Sequence, residues 1–189
     1  MDINKQIILI LLSTSVLFTQ TQTIHNEFRQ IEETEKEPEV GETYLPETKD
    51  SSFKSYMDYR TITDPTSRQW ALQQEAYTDE NGIRKVDEYY CVALGSGISS
   101  KIGEKLEISL DTGQVIKVIL ADQKADRHTD ETNMYLDLGE GRINVVEFIV
   151  ETEAMPEIVQ VMGDVSYMPG AAFEGEIEEI RTAEEPAEK

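Results

Sequence analysis

The stretch KLEISLDTGQVIKVILA, residues 105–121, decides how this chain folds. It contains an alternating run, Lys105 to Leu110, and a longer run, Gln114 to Ala121. The residues between them are Asp111-Thr112-Gly113. Two runs of strand-forming residues joined by a short turn that ends in glycine predict a β-hairpin.

Three more segments predict strands around this hairpin. Tyr89 to Leu94 (YYCVAL) consists of apolar and β-forming residues, which is typical of a strand buried on both faces. Val145 to Val150 (VVEFIV) predicts another strand, and Glu176 to Arg181 (EIEEIR) predicts the last one. Strands at this spacing, with little helix between them, favour a small barrel or sandwich over alternating strands and helices.

Two short helices are predicted within this β domain. Asp64-Pro65 is typical of a helix start, with Asp64 as N-cap and proline at the first helical position, and TSRQWALQQ follows. Ile158 to Met162, after Pro156, predicts one helical turn.

The two ends of the chain differ from the middle. The apolar segment from Ile7 to Phe18 is shorter than a bilayer span of about 20 residues and suits a secretory signal, so residues 1–23 are predicted to be a signal peptide or an N-terminal anchor. Residues 24–53 predict a disordered acidic linker, because their composition buries too little apolar surface. The β domain is expected over 54–182 and an acidic tail over 183–189. The predicted location is secreted or cell-surface.

Charge excludes several functions. The 189 residues include 38 acidic and 17 basic side chains, a net charge of -21. About half of this excess lies in the linker and the C-terminal run. Such a chain repels a phosphate backbone and anionic lipid, so we expect no nucleic-acid partner and no membrane contact beyond the N-terminal segment. A single cysteine excludes a disulfide framework and a cysteine-only zinc site.

Motifs for nucleophilic and nucleotide chemistry are absent from the sequence. It has no phosphate-binding glycine loop, no dinucleotide fingerprint and no HExxH. LGSG, residues 94–97, lacks the spacing of a nucleophile elbow and predicts a turn after a strand. Cys91 lies within a predicted strand, which favours a buried and unreactive thiol.

The stretch ADQKADRHTDETNMY, residues 121–135, carries the most chemistry. Its three aspartates, Asp122, Asp126 and Asp130, recur every four residues directly after a predicted strand, where functional loops commonly lie. Clustered carboxylates raise one another's pKa values, so one of them can act as a general acid near neutral pH. Cleavage of a glycosidic bond needs such an acid.

Two other interpretations of this stretch stay open. On composition alone, a solvated surface loop is the more frequent outcome for such a pattern in an acidic protein. A cation site around Asp126, His128 and Asp130 is the second, although the spacing lacks the glycine and terminal glutamate of an EF-hand. We therefore predict no dedicated metal site and no cofactor.

The order of these features resembles the three-aspartate (3D) domain of cell-wall lytic proteins, a double-psi β-barrel found in lytic transglycosylase A and in stationary-phase muralytic factors. The resemblance covers about residues 74–150. It is carried by QEAYT at 74–78, YYCVALG at 89–95, IGEKLEI at 102–108, the aspartate stretch and VVEFIV. The family's glycines after the first aspartate are replaced here by Gln123 and Lys124, and the one before the last aspartate by Arg127 and His128.

The resemblance implies a mainly β fold, a small six-stranded double-psi β-barrel. It also implies lytic-transglycosylase-like cleavage of peptidoglycan glycan strands by a monomer. Asp130 matches the family's last aspartate and favoured catalytic acid, which implies that it is the general acid/base. Asp122 matches the first aspartate, and Asp122 and Asp126 are expected to tune or position Asp130. Tyr77 and His128 are expected to line the sugar groove. The alternative is a non-catalytic cell-wall or phage-associated binding module.

Overall fold

The computed structural model describes residues 42–46 and 48–183. The predicted signal peptide or anchor, most of the predicted linker and residues 184–189 lie outside the described residues. The strands are β1 (Glu42–Tyr44), β2 (Ser55–Asp58), β3 (Tyr77–Thr78), β4 (Arg84–Val86), β5 (Tyr89–Leu94), β6 (Lys105–Leu110), β7 (Val115–Gln123), β8 (Leu136–Gly139), β9 (Arg142–Asn144), β10 (Glu147–Val150) and β11 (Ile177–Thr182). The α-helices are α1 (Arg68–Glu75) and α2 (Glu157–Met162), and 3-10 turns cover Tyr59–Thr61, Asp126–His128, Thr152–Ala154 and Val165–Tyr167.

The fold is mainly β, as predicted. Nine strands form one sheet, along which the order is β1-β11-β6-β7-β5-β10-β2, and β4 joins the β3 hairpin to β5. β8 and β9 form a separate pair. The pairs β5/β7 and β2/β10 are parallel and the other pairs in this sheet are antiparallel. The described strands form an open sheet of more than six strands. They do not form the closed six-stranded barrel that the resemblance implies.

The predicted β-hairpin over residues 105–121 is confirmed. β6 and β7 pair from Lys105 with Ile119 to Ser109 with Val115. Gly113 closes the turn with φ of 80°, a left-handed conformation that glycine adopts without a steric penalty. β7 extends two residues beyond the prediction, to Gln123, and this extension places Asp122 within a strand.

The core lies on both faces of the sheet, and successive side chains of β5 point to the two faces in turn. Val92 and Leu94 belong to a large apolar cluster, and Cys91 and Ala93 belong to a smaller one that packs under α1. Burial of the smaller face by a helix explains why β5 has apolar residues at successive positions.

Two predicted boundaries are wrong. Ser67, not Asp64, is the N-cap of α1: its hydroxyl accepts a hydrogen bond from the Trp70 amide at 3.1 Å. Asp64 instead accepts hydrogen bonds from Thr66, whose amide and hydroxyl both reach its carboxylate, and so closes the preceding turn. The sheet also begins before residue 54, since β1 pairs antiparallel with β11 and Ser51 is buried.

Within the described residues, none of the helices has the length and apolar character needed to cross a bilayer.

Candidate functional site

The aspartate loop, residues 124–135, follows the end of β7 and packs over the turn that follows β5. The Gly97 amide donates a hydrogen bond to the Asn133 carbonyl at 2.9 Å. A Cβ atom at Gly95 would overlap that same carbonyl oxygen, and one at Gly97 would overlap the carbonyl oxygen of Thr132. The two glycines of LGSG therefore serve a close backbone approach, which a nearby side chain would block.

Asp130 closes this loop. Its carboxylate accepts hydrogen bonds from the amides of Thr132 at 2.9 Å, Met134 at 2.8 Å and Tyr135 at 3.0 Å, and also from the Thr132 hydroxyl. Burial raises the pKa of Asp130, but these hydrogen bonds outweigh it and lower the pKa to about 2. Asp130 is therefore ionised at neutral pH, and its oxygens are occupied by the loop.

Asp126 is exposed at the start of the 3-10 turn that begins the loop. It accepts a hydrogen bond from the Ser96 hydroxyl at 2.7 Å, which ties the loop to the turn after β5. His128 ends the same 3-10 turn, is exposed, and accepts a hydrogen bond from the Arg127 guanidinium at 3.1 Å.

Asp122 has a different environment from the other two aspartates. It is partly buried, and this burial together with the charge of Glu147 raises its pKa, partly offset by hydrogen bonds from the Gln123 backbone and the Gln69 side chain of α1. The environment of Asp122 therefore shifts its pKa in the direction opposite to that of Asp130.

Strand register explains why Glu147 acts on Asp122. Asp122 on β7 is paired with Ala93 on β5, Ala93 is paired with Glu147 on β10, and Glu147 is paired with Ser55 on β2. The register between β5 and β7 shifts by one residue just before Ala93, and this irregularity brings Asp122 rather than Ala121 opposite Ala93. Asp122 and Glu147 are therefore paired with Ala93 from opposite sides, and Ala93 itself is buried.

A polar network surrounds Glu147. The Ser55 hydroxyl donates to Glu147 Oε1 at 3.1 Å, and the Asn144 amide nitrogen donates to the Ser55 hydroxyl at 2.7 Å. Lys124 Nζ donates to the Asn144 carbonyl at 3.0 Å. Burial lowers the pKa of Lys124 to about 8, although the charge of Glu147 opposes this shift.

Tyr77 lies away from Asp122 and Glu147 along the strand direction of the sheet. It is paired with Lys85, which is paired with Tyr90, three residues before Ala93 along β5. Three residues of strand correspond to about 10 Å. The Tyr77 hydroxyl donates to the Asp87 carbonyl at 3.0 Å, and half of the residue is exposed.

Two cavities lie away from the aspartate loop. One, of about 430 Å³, is lined by Ser52, Asp164, Ser166, Tyr167, Met168, Ala171, Glu174 and Gly175. The other, of about 550 Å³, is lined by Leu45, Pro46, Lys49, Asp111, Glu176, Ile177 and Glu178. None of the predicted site residues lines either cavity. In the part of the chain that the structure describes, no three His, Cys, Asp or Glu side chains converge as a metal site requires.

Glu147 and Lys124 are not among the predicted site residues. A signal for Glu147 was present, since it is the single charged residue in the apolar strand VVEFIV. A charge in such a run indicates a position where one strand face is polar or functional. Lys124 had no comparable signal, because its burial depends on contacts with residues distant in sequence.

No protein-family model, no curated protein and no solved structure matches this chain.

Proposed function

We propose that this protein cleaves glycan strands of peptidoglycan, by lytic-transglycosylase-like chemistry in which Asp122 is the general acid. The observation that carries the proposal is the environment of Asp122. Partial burial and the neighbouring Glu147 both raise the pKa of Asp122, which is the direction that a general acid requires, and Asp122 lies near the end of β7.

The proposed reaction begins with proton transfer from Asp122 to the glycosidic oxygen as the bond to the anomeric carbon breaks. The 6-hydroxyl of the same sugar then attacks that carbon and gives its proton to the Asp122 carboxylate, so no water nucleophile is needed and Asp122 returns to its starting state. This assigns Asp122 the role that the family resemblance gives to Asp130. Asp130, ionised and bonded to its own loop, shapes the loop that ends beside the site, and Asp126 secures that loop to Ser96.

The setting proposed for this activity is the cell surface, and the fold proposed with it is a double-psi-like arrangement. The parallel pairs β5/β7 and β2/β10 within an otherwise antiparallel sheet support that topology. His128, exposed on the aspartate loop, is proposed to contact the glycan. Tyr77 is proposed to contact it at a more distant point, given its position on the β3 hairpin.

The test is release of anhydro-muropeptides from purified sacculi by the full chain. We expect release by the wild type and loss of release in Asp122→Asn, which keeps the size of the side chain and removes the acid. Glu151→Gln is the matched control, because Glu151 is also partly buried and bonded to a hydroxyl, that of Thr78 at 2.7 Å. Full activity of Asp122→Asn with normal thermal stability would refute the role of Asp122.

A non-catalytic glycan-binding module is the second candidate function. It is favoured by the position of the two cavities, which Asp122, Asp126 and Asp130 do not line, and by the hydrogen bonds that hold the Asp130 carboxylate within its own loop. This function predicts that the wild type sediments with intact sacculi but releases no fragments, and that Asp122→Asn sediments equally well.

A further inference from the structure

We propose that the surface formed by α2 and the 3-10 turn that follows it is a docking site for a partner protein segment that carries both apolar and basic side chains. This surface, which we call the α2 face, consists of Ile158, Val161 and Met162 on α2 and of Tyr167 on the turn. The proposal concerns an interaction and is independent of the proposed cleavage of glycans.

The α2 face is apolar and exposed. Val161 is 73% exposed, and each of the other three residues is about half exposed. Seven large hydrophobic residues are exposed among the described residues, and these four all lie between residues 158 and 167. Positions i, i+3 and i+4 of a helix lie on one side of it, so Ile158, Val161 and Met162 form a continuous patch. Single exposed apolar residues are ordinary on a protein surface, whereas a contiguous apolar patch marks an interaction site.

The α2 face is held in place from its inner side. Val159 is fully buried, and its carbonyl accepts a hydrogen bond from the Gly163 amide at 2.9 Å, which closes the helix. The Val165 amide donates to the Lys54 carbonyl at 2.8 Å, and the Lys54 amide donates to the Asp164 carboxylate at 3.1 Å. These bonds tie the 3-10 turn to the residue before β2. A surface that is already ordered loses little conformational entropy when a partner binds.

Charge indicates which partner the α2 face fits. Residues 143–180 include nine acidic residues and no lysine, arginine or histidine. Glu153 is paired with Arg60, but Glu157 and Glu174 are exposed and belong to no ion pair within the described part of the chain. An apolar face flanked by unpaired carboxylates is complementary to a segment with lysine or arginine beside its apolar side chains. The same carboxylates would repel a second copy of this chain.

A cavity adjoins the α2 face and can receive one basic side chain. Its volume of about 430 Å³ lies within the range of small-ligand pockets, about 300 to 1000 Å³, and Tyr167 belongs both to its wall and to the face. The charged residues that line it are Asp164 and Glu174, both acidic. Lys54 is buried behind the cavity, where its Nζ donates to two carbonyls of the wall, and four carboxylates act on its charge. We therefore expect a lysine or arginine of the partner to enter the cavity.

The test measures binding of a synthetic peptide to the full chain by fluorescence anisotropy. The probe is a dye-labelled helix of about 18 residues with leucine along one side and lysine along the other. We expect saturable binding by the wild type and a loss of about tenfold in affinity in Val161→Ser, since an exposed side chain is removed that the partner would bury. Glu174→Gln should lose about threefold and show a weaker dependence on salt.

Matched controls lie on the separate β8/β9 pair and its turn. Leu136→Ser removes an exposed apolar side chain and Glu140→Gln an exposed charge, and both should bind the peptide within about twofold of the wild type, because distant sites act independently. Equal losses in Val161→Ser and Leu136→Ser would overturn the proposal. Absence of binding by the wild type at peptide concentrations up to about 1 mM would do the same.

Other probes identify what the α2 face binds. A peptide with serine in place of leucine should bind far more weakly, and equal binding would show that charge alone attracts it, which contradicts the proposal. A peptide with glutamate in place of lysine should not bind, and tight binding of it would refute the role of the carboxylates. Wild-type binding to phosphatidylcholine vesicles, or self-association in sedimentation, that Val161→Ser abolishes would assign the face to a membrane or to a second copy and overturn the proposed partner.

Discussion

Removing the Asp130 carboxylate tests whether this residue is a loop cap or an acid. Asp130→Ala deletes the acceptor of three amide hydrogen bonds and one hydroxyl hydrogen bond within residues 130–135. Hydrogen bonds to a charged acceptor each contribute about 1.5 to 3 kcal/mol, but the freed amides of this partly exposed loop regain contact with water. We therefore expect a loss of about 2 kcal/mol in the free energy of unfolding at pH 7.

The pKa of Asp130 leads to a similar magnitude and to a pH dependence. Hydrogen bonding lowers this pKa from 3.8 to about 2 against the opposing effect of burial. Each pKa unit corresponds to about 1.4 kcal/mol, which gives about 2 kcal/mol after allowance for solvent screening. Because the folded-state pKa is the lower one, this stabilisation is complete above the unfolded pKa of 3.8 and disappears as the pH falls through 2.

The assay is urea unfolding of the wild type, Asp130→Ala and Asp130→Asn between pH 7 and pH 2.5. The difference in unfolding free energy between the wild type and Asp130→Asn should fall to below about 1 kcal/mol near pH 2.5. A difference that is absent at pH 7, or that does not change with pH, would refute the capping role. Loss of sacculus release by Asp130→Asn with unchanged stability would restore Asp130 as the catalytic acid.

Other predictions concern the loop contact and the buried groups. Gly95→Ala should destabilise the protein by about 2 kcal/mol or more, measured by thermal unfolding, because its Cβ would overlap the Asn133 carbonyl, whereas Ser96→Ala should cost less than about 1 kcal/mol. Burial lowers the pKa of Lys54 to about 8, so this residue should contribute a rise of about 2 to 3 kcal/mol in the free energy of unfolding between pH 8 and pH 10.5; Lys54→Met should lose that part of the rise and keep the part due to Lys124, whose pKa burial also lowers to about 8. Burial raises the pKa of the Cys91 thiol to about 11, so a thiol reagent at pH 8 should modify the protein only on unfolding; rapid labelling of the native state would contradict this.

Local signals in the sequence were sufficient for the β-hairpin, β5 and the buried thiol. The turn at Gly113 and the alternation of β6 depend only on residues that are neighbours in the sequence. Cys91 lies in a strand that is apolar on both faces, so its side chain is buried on either face. The start of α1 was predicted three residues early because Asp64 and Ser67 are both good cap residues. Only the geometry of the chain shows that Ser67 bonds to the helix.

The candidate site could be predicted only in part. The sequence identified a stretch rich in carboxylates after a strand, and Asp122 is in it. It grouped Asp122, Asp126 and Asp130 as one cluster because they are close in the chain, whereas in the structure each has its own partner. Asp126 is bonded to Ser96, Asp130 to its own loop, and Asp122 is influenced by Glu147, a residue 25 positions later.

The pattern of residues predicts a mainly β domain with a hairpin at 105–121 and an acidic loop after its second strand. The tertiary structure determines which carboxylates are neighbours. The alternation of side chains along a strand is local, so it can be read from the residues. The register between β7, β5 and β10 depends on pairing across distant segments, since a shift of one residue would turn Glu147 away from Asp122. The pairing of β1 with β11 is equally non-local, and it places the start of the sheet inside the segment that composition alone assigns to a linker.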